Sequence, residues 1–384
     1  MIHLYNQCNS VYEAACAINN HYQSVYDSFP SSSSSTCATF SSLDCHQVTE
    51  EMVYYHLRQL KRRKSTADLP LVLFKEAAHI LSAPLAYLYN LSLSSGYVPQ
   101  CWKICAAIPL PKVRTPSLDQ LRLISLAPTP TKILECIVLD VIKSKLLACY
   151  DNFQFGFRPG SSTACALVYL HDRITRFLDC KSVSGVQIIT YDYAKAFDTV
   201  PINVVFDRLQ MCDLSPGILR WLNNYLSCRK QYVKIGDVKS HVINVSTGVP
   251  QGSILGPYLF SIVMSTLNFD QDDCCVVKYA DDVTLCIPLY KDSPNCHVED
   301  IHDSLCKWSS INGLKLNFNK CKSLCISSSK ECVPIPLDNV TSVSSLKILG
   351  VHFNDKCNWS THFDFCCANG IQTNVSVTYL KEQF

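Results

Sequence analysis

The run Val276-Val277-Lys278-Tyr279-Ala280-Asp281-Asp282-Val283-Thr284-Leu285-Cys286-Ile287 constrains this chain more than any other stretch. Two β-prone apolar segments flank a pair of adjacent aspartates. Alternation and β-branching predict two strands with a tight connection at Ala280-Asp281-Asp282. Held at a hairpin tip between buried strands, the two carboxylates repel each other. At ~4 Å and an effective dielectric of ~20 that repulsion is about 4 kcal/mol. A divalent cation removes it. Hard oxygen ligands favour magnesium, which prefers one or two carboxylates plus substrate phosphates to a full protein cage. A solvated Asp-Asp turn is the other reading of these residues, and the rest of the chain decides between the two.

A second aspartate occupies a similar setting. Val186-Gln187-Ile188-Ile189-Thr190-Tyr191-Asp192-Tyr193 is an apolar strand ending in an acid, and it runs into Ala194-Lys195-Ala196-Phe197-Asp198. If that strand lies beside the Asp281 hairpin, Asp192 and Asp281 can hold two metals between them. Two such ions activate an attacking hydroxyl and stabilise a leaving pyrophosphate. Between the two acids stands Gly248-Val249-Pro250-Gln251-Gly252-Ser253. Taken together, Tyr-Ala-Asp-Asp, the upstream Asp-Tyr-Ala-Lys-Ala-Phe-Asp and the Pro-Gln-Gly loop resemble the reverse transcriptase of non-LTR (LINE-like) retrotransposons.

Composition is compatible with that resemblance and adds limits of its own. The chain has 384 residues, 48% of them hydrophobic and 17% charged, enough for a sizeable core. A formal net charge of +2 does not advertise nucleic-acid binding, although global charge is a poor guide to a local groove. Basic residues cluster at Lys61-Arg62-Arg63-Lys64 and at Arg229-Lys230 with Lys234 and Lys239, and either cluster is equally compatible with a solvated face. The 23 cysteines are scattered without paired Cys-x-x-Cys spacing, which argues against zinc. Their odd number and the lack of a charged, apolar leader predict reduced thiols in the cytosol or nucleus, not a secreted protein. No segment approaches 18 uninterrupted apolar residues, so a membrane span is not expected.

Most of the remaining sequence falls into the order of the family's motifs. The resemblance implies an α/β (α+β) right-hand polymerase: an N-terminal segment over 1–47, fingers over 48–180, a palm with an antiparallel sheet over 181–345, and a primer-grip strand and truncated thumb over 346–384. The reverse transcriptase domain itself spans about 93–354. Ser31–Ser35 has linker composition. Val48–Leu57 predicts an amphipathic helix started by Thr49, and Leu71–Asn90 a helix interrupted at Pro84. The stretch from Lys64 to Pro70 lacks the glycines usual in the family. Residues 1–29 look weakly helical and say little more.

Lys112 and Arg122 match finger-strand basic residues that contact the incoming triphosphate in related enzymes. Leu121 and Leu123 depart from the pattern, standing where the family has Tyr and Pro. The segment from Gln154 to Ala164, with Gly156, Arg158 and Gly160, matches one that handles template backbone. Phe197 stands where related polymerases place an aromatic ring against the sugar, a gate that favours deoxynucleotides. Asp198 reads as a helix cap. Gly252 allows close approach to a nucleotide, and Gln251 can hydrogen-bond it or the template. Lys320 is the candidate general acid for the leaving pyrophosphate. Leu346–Phe353 resembles the strand that grips the primer, and Cys357–His362 opens the thumb, which the end at Phe384 cuts short.

The function implied is RNA-templated DNA synthesis. A primer 3′-hydroxyl attacks the α-phosphate of a dNTP; Asp192 and Asp281 hold two Mg2+ ions, with Asp282 as an auxiliary acid and Mn2+ as a substitute metal. The partners implied are an RNA template, a DNA primer and dNTPs. An RNA-dependent RNA polymerase is the neighbouring alternative. A non-catalytic remnant that binds RNA or a partner is the alternative from another class.

Overall fold

Burial on one face or on both decides where strands form along this chain. The computed structural model describes residues 8, 10–28, 47–61, 67, 69–270, 274–291, 296–327 and 334–368. The Ser31–Ser35 run, the basic residues Arg62, Arg63 and Lys64, and the expected thumb beyond 368 lie outside them. In chain order the strands are β1 (Ile104–Pro111), β2 (Leu121–Leu126), β3 (Val183–Tyr191), β4 (Arg229–Ile235), β5 (Val238–Lys239) and β6 (Ile243–Val245). They continue with β7 (Cys275–Tyr279), β8 (Asp282–Tyr290), β9 (Lys322–Ile326), β10 (Thr341–Ser342), β11 (Ser345–Ile348) and β12 (Val351–Asn354). The fold is α/β with mixed sheets, in two compact units.

The first unit comprises residues 1–151, 195–266 and 312–314. Its sheet runs β2-β1-β4-β5, with β6 also on β4; β1 is antiparallel to β2 and parallel to β4. The helix Val11–Asp27 lies on this sheet, capped by Ser10, whose hydroxyl accepts from the Glu13 N–H. Its buried side chains Ala15, Ile18, Tyr22 and Tyr26 fall at i, i+3, i+7 and i+11. They close a core with Leu121, Leu123, Val233, Ile243 and Val245. Alternation along β2 turns Leu121 and Leu123 inward and leaves Arg122 exposed. The two leucines that depart from the family pattern are therefore core residues beneath an N-terminal helix that its sequence hardly announces.

Helices Glu50–Arg58, Leu71–Glu76, Ala78–Ser95, Thr129–Ala148 and Pro216–Leu226 belong to the same unit. Thr49 starts the first as expected, accepting from Met52 N–H at 3.3 Å. Pro84, by contrast, does not interrupt its helix: the break falls at Ala77, and Pro84 lies inside Ala78–Ser95. Pro84 is exposed, so the one backbone acceptor it strands can turn to water. Gly96, left-handed at φ +66°, ends that helix.

The second unit comprises residues 152–194, 267–311 and 315–384. Its sheet runs β10-β9-β3-β8-β7, antiparallel throughout except that the short β10 joins β9 in parallel. Central β3 is buried almost continuously, as a strand covered on both faces must be. Its one buried amide is satisfied: Gln187 bonds Ser323 Oγ at 3.0 Å and both backbone groups of Ile335 at 2.9 Å. Helix Thr163–Asp179 presents Ala166, Leu170 and Ile174 to Val186, Ile188, Val277 and Leu324. Each such leucine or isoleucine contributes roughly 1.5–3 kcal/mol by burial. The Leu346–Phe353 stretch is a hairpin and not one strand. β11 pairs antiparallel with β12 through Leu349 and Gly350, both at positive φ.

Tyr22 is fully buried, and its hydroxyl donates to Leu121 O at 3.0 Å. Tyr22→Ala is expected to lower stability by about 3–5 kcal/mol in urea unfolding, as for other large aromatic truncations. A change below about 1 kcal/mol would mean that the N-terminal helix is not part of the core.

Candidate functional site

The register of β3 against β8 places the acids of the second unit. Tyr191 pairs with Val283 and Thr190 with Thr284, while across the hairpin Tyr279 pairs with Asp282. Asp192, one residue beyond β3, therefore comes level with the Asp281-Asp282 tip. Period-2 alternation buries Tyr191 and Tyr193 and leaves Asp192 half-exposed. The tyrosines are tethered below: Tyr191 Oη lies 2.9 Å from His302 Nδ1 and Tyr193 Oη 3.0 Å from Ser309 Oγ. The Asp192 carbonyl accepts from Asn317 N–H at 2.8 Å. Backbone and neighbours thus fix where this carboxylate can point.

Ala280 adopts φ +58° at the first position of the two-residue turn. Type II′ hairpins need a positive φ there and usually place glycine, since a side chain costs roughly 1–2 kcal/mol. Phe155 N–H donates to Lys278 O at 2.8 Å and Lys278 N–H to Phe153 O at 2.9 Å, bracing the hairpin from outside. A Cβ on Gly156 would lie 2.4 Å from Ala280 N. The close approach expected at Gly156 is thus to the aspartate turn of the chain itself. Arg158, half-buried, follows in the loop before helix Thr163–Asp179.

Lys320 Nζ lies 2.9 Å from Asp192 Oδ2. Both flank a cavity of about 370 Å³ whose lining includes Asp282, Tyr279, Lys322 and Lys347. Basic and acidic groups share one basin, as a metal-assisted phosphate chemistry requires. No preassembled group of three metal-ligating side chains exists among the described residues. Two or three strand-end carboxylates fit a hard cation that completes its shell with substrate phosphates, as magnesium does. Asp192, Asp281 and Asp282 are the residues that would hold it.

The remaining expected residues belong to the first unit. Lys112 and Arg122 sit exposed at the joined ends of β1 and β2, where Leu110 pairs with Arg122 and Lys112 N–H donates to Gln120 O. Phe197 lies in the short helix Ala196–Thr199, its ring stacked 4.4 Å from that of Phe260. Its carbonyl accepts from Val249 N–H at 2.8 Å, which ties the gate position to the glycine-rich loop. A Cβ on Gly248 (φ +75°) would come within 2.5 Å of the Phe197 and Asp198 carbonyl oxygens. The Gln251 carbonyl accepts from Ser125 N–H at 2.7 Å, and Gly252, at φ +108°, follows it. Gln251 Oε1 is buried without a hydrogen-bond partner among the described residues. A buried acceptor left open is costly unless a ligand completes it.

Two readings of charge change. Arg229 is not a surface cation: it is 7% exposed and donates to loop carbonyls. Asp198 does not cap a helix either. Lys195, at φ +52°, holds the N-cap position, and Asp198 sits within the turn. Burial pushes the Asp198 carboxyl up to about 6, against the pull of Lys195, Lys112, Arg229 and Arg122. Sequence reading also passed over Glu135, whose only signal is an acid inside the apolar run Ile133–Leu139.

Comparison with known proteins identifies a family for most of the chain. Residues 110–353 match the profile of the family described as reverse transcriptase (RNA-dependent DNA polymerase). The chain is 27% identical over 299 residues to the RNA-directed DNA polymerase from mobile element jockey of Drosophila melanogaster, covering 72% of this chain and 32% of that protein. It is 28% identical over 304 residues to the probable RNA-directed DNA polymerase from transposon BS of the same organism, with the same coverage. The chain thus spans about a third of the length of the curated relatives it matches. Among solved structures, apo telomerase from Candida tropicalis aligns with a TM-score of 0.49 at 13% identity, over 73% of this chain and 59% of that one.

The raised Asp198 pKa has a signed consequence. Between its ordinary value of 3.8 and about 6 the folded state keeps a proton that the unfolded chain has released. The Asp198 contribution to stability therefore falls as pH rises through that window. Asp198→Asn is expected to be more stable than the parent at pH 8 by about 1–3 kcal/mol, with the difference gone below pH ~4. Thermal unfolding across that pH range checks it; equal offsets at all pH values would contradict a buried, ionising Asp198.

Proposed function

Because this chain belongs to the reverse transcriptase (RNA-dependent DNA polymerase) family, we propose that it polymerises DNA on an RNA template, extending a primer 3′-hydroxyl with dNTPs, as the polymerase part of a non-LTR retrotransposon protein. The observation that carries this reading is the β3–β8 register, which sets Asp192 level with the Asp281-Asp282 tip. In this reading 48–180 are fingers, 181–345 palm, and 346 onward the primer grip and start of the thumb.

Magnesium held by Asp192 and Asp281, with Asp282 assisting, would supply activation of the attacking oxygen and charge neutralisation on the leaving pyrophosphate. The chain's own residues position and neutralise. Lys320 Nζ lies 2.9 Å from Asp192 Oδ2 at the edge of the same basin and is assigned as general acid to the leaving group. Lys322 and Lys347 add positive charge to that basin, suited to a primer or template backbone. In the first unit, Lys112 and Arg122 offer exposed cations to the triphosphate. Gln251 offers an acceptor that has no partner among the described residues. Phe197, held by Phe260, supplies a fixed ring against the sugar. Arg158 is assigned to template phosphate.

Purified protein is expected to extend a DNA primer on RNA with dNTPs and Mg2+. Asp281→Asn should abolish extension while the fold is kept, with thermal unfolding no lower than the parent's because one of two repelling charges is gone. Undiminished extension by that variant would sink the assignment. Phe197→Ala should raise the use of ribonucleotides relative to dNTPs in the same assay. An unchanged ratio would remove the gate from Phe197, and a parent enzyme that prefers ribonucleotides would favour the RNA polymerase reading.

A further inference from the structure

Two buried side chains of opposite charge grip the two ends of the loop that carries Gln251. At its start, Arg229 donates Nη2 to Thr247 O at 2.6 Å and to Gly248 O, and Nε to Leu226 O at 2.9 Å. At its end, Glu135 is fully buried in the helix Thr129–Ala148. One of its carboxylate oxygens accepts from Ile254 N–H at 2.6 Å and Leu255 N–H at 3.4 Å, and the other from Tyr225 Oη at 2.9 Å. Between these grips the loop makes its contacts with the site. Val249 N–H donates to Phe197 O at 2.8 Å, and Gln251 O accepts from Ser125 N–H at 2.7 Å.

We propose that Glu135 and Arg229 are positioning residues, a paired clamp that sets the Thr247–Leu255 loop so that Gln251 meets the incoming nucleotide. Neither side chain is needed to fill space. A buried ion costs several kcal/mol to desolvate, and an apolar residue of similar volume would pack as well. What only a charge provides is several directed bonds to loop backbone at once. Arg229 takes carbonyls, Nη2 reaching two adjacent loop oxygens while Nε holds Leu226 O. Glu135 takes amides, and its second oxygen is occupied by Tyr225, so the carboxylate cannot rotate away. The loop is held between them, with the Phe197 carbonyl and Ser125 of β2 as further anchors. Gln251 therefore keeps its buried, open acceptor in place before any ligand arrives.

The nucleotide half of this inference rests on the polymerase reading; the clamp itself does not, and the test separates them. Glu135→Leu keeps similar volume and removes both acceptors, whereas a glutamine could donate to the Tyr225 hydroxyl and still accept from the loop amides. Glu135→Leu is expected to speed hydrogen exchange of the 248–256 backbone while peptides of the second unit exchange as in the parent. In primer extension it should raise KM for dNTP by about tenfold or more, the cost of a lost buried bond to a charged group, with KM for template–primer unchanged. Tyr225→Phe, which removes one donor and leaves the loop bonds, should shift both readouts in the same direction by less. It is the deciding variant if Glu135→Leu does not fold. Unaltered exchange over 248–256 would overturn the clamp. Altered exchange with an unchanged dNTP KM, or with equal loss for template–primer, would overturn its role in nucleotide positioning. A parent protein without extension activity would count against the polymerase reading alone, and the exchange result would still decide the clamp.

Discussion

Everything in the second unit follows from the pairing of β3 with β8. Those two strands share eight register pairs, both are buried almost throughout, and a slip of one residue would turn each face over. Such a slip would bury Asp192 and expose Tyr191 and Tyr193. The hydrophobic cost of that exchange, several side chains at roughly 1.5–3 kcal/mol each, is what holds an acid at the strand end. That burial offsets the strain at Ala280 and the repulsion between Asp281 and Asp282. A hairpin tip that would be marginal alone is thus carried by the sheet beneath it, with Phe153–Gly156 bracing it from the side.

In the first unit, position is set by polar bonds inside a packed frame. The Thr247–Leu255 loop buries Val249 and Leu255, but its backbone lies outside any strand or helix ladder. Its conformation is defined by Arg229, Glu135, the Phe197 carbonyl and the Ser125 amide. Such networks are useful only when every member is satisfied, since each broken bond strands a buried charge. Here the members are satisfied, and the open group among them is Gln251 Oε1, the one best placed to meet a ligand. The contrast between the units is physical: a sheet register fixes the acids, and a clamp of charges fixes the loop.

Much of this was legible in the sequence for that reason. Register and strand ends follow from apolar runs, so the hairpin at Ala280, the strand into Asp192 and the helix started by Thr49 could be read directly. Glycines mark close approaches, but they do not name the neighbour, and Gly156 meets Ala280. Leu121 and Leu123 looked like losses from a motif because the helix that covers them, Val11–Asp27, lies some hundred residues away in the chain. Arg229 was read as part of a surface cluster for the same reason: a basic residue beside Lys230 gives no sign of which one is buried. Pro84 shows the limit of local rules, since an exposed proline can sit in a helix whose other face is well packed.

The central claim is that the β3 end and the hairpin tip together hold divalent metal. Mn2+ titration followed by electron paramagnetic resonance, on protein with an RNA template, a chain-terminated DNA primer and the next dNTP, tests it without turnover. The parent is expected to bind two Mn2+ ions per chain in this complex, and Asp192→Asn and Asp281→Asn each to lose bound metal while still binding template–primer. Equal Mn2+ binding by the parent and both variants would contradict it.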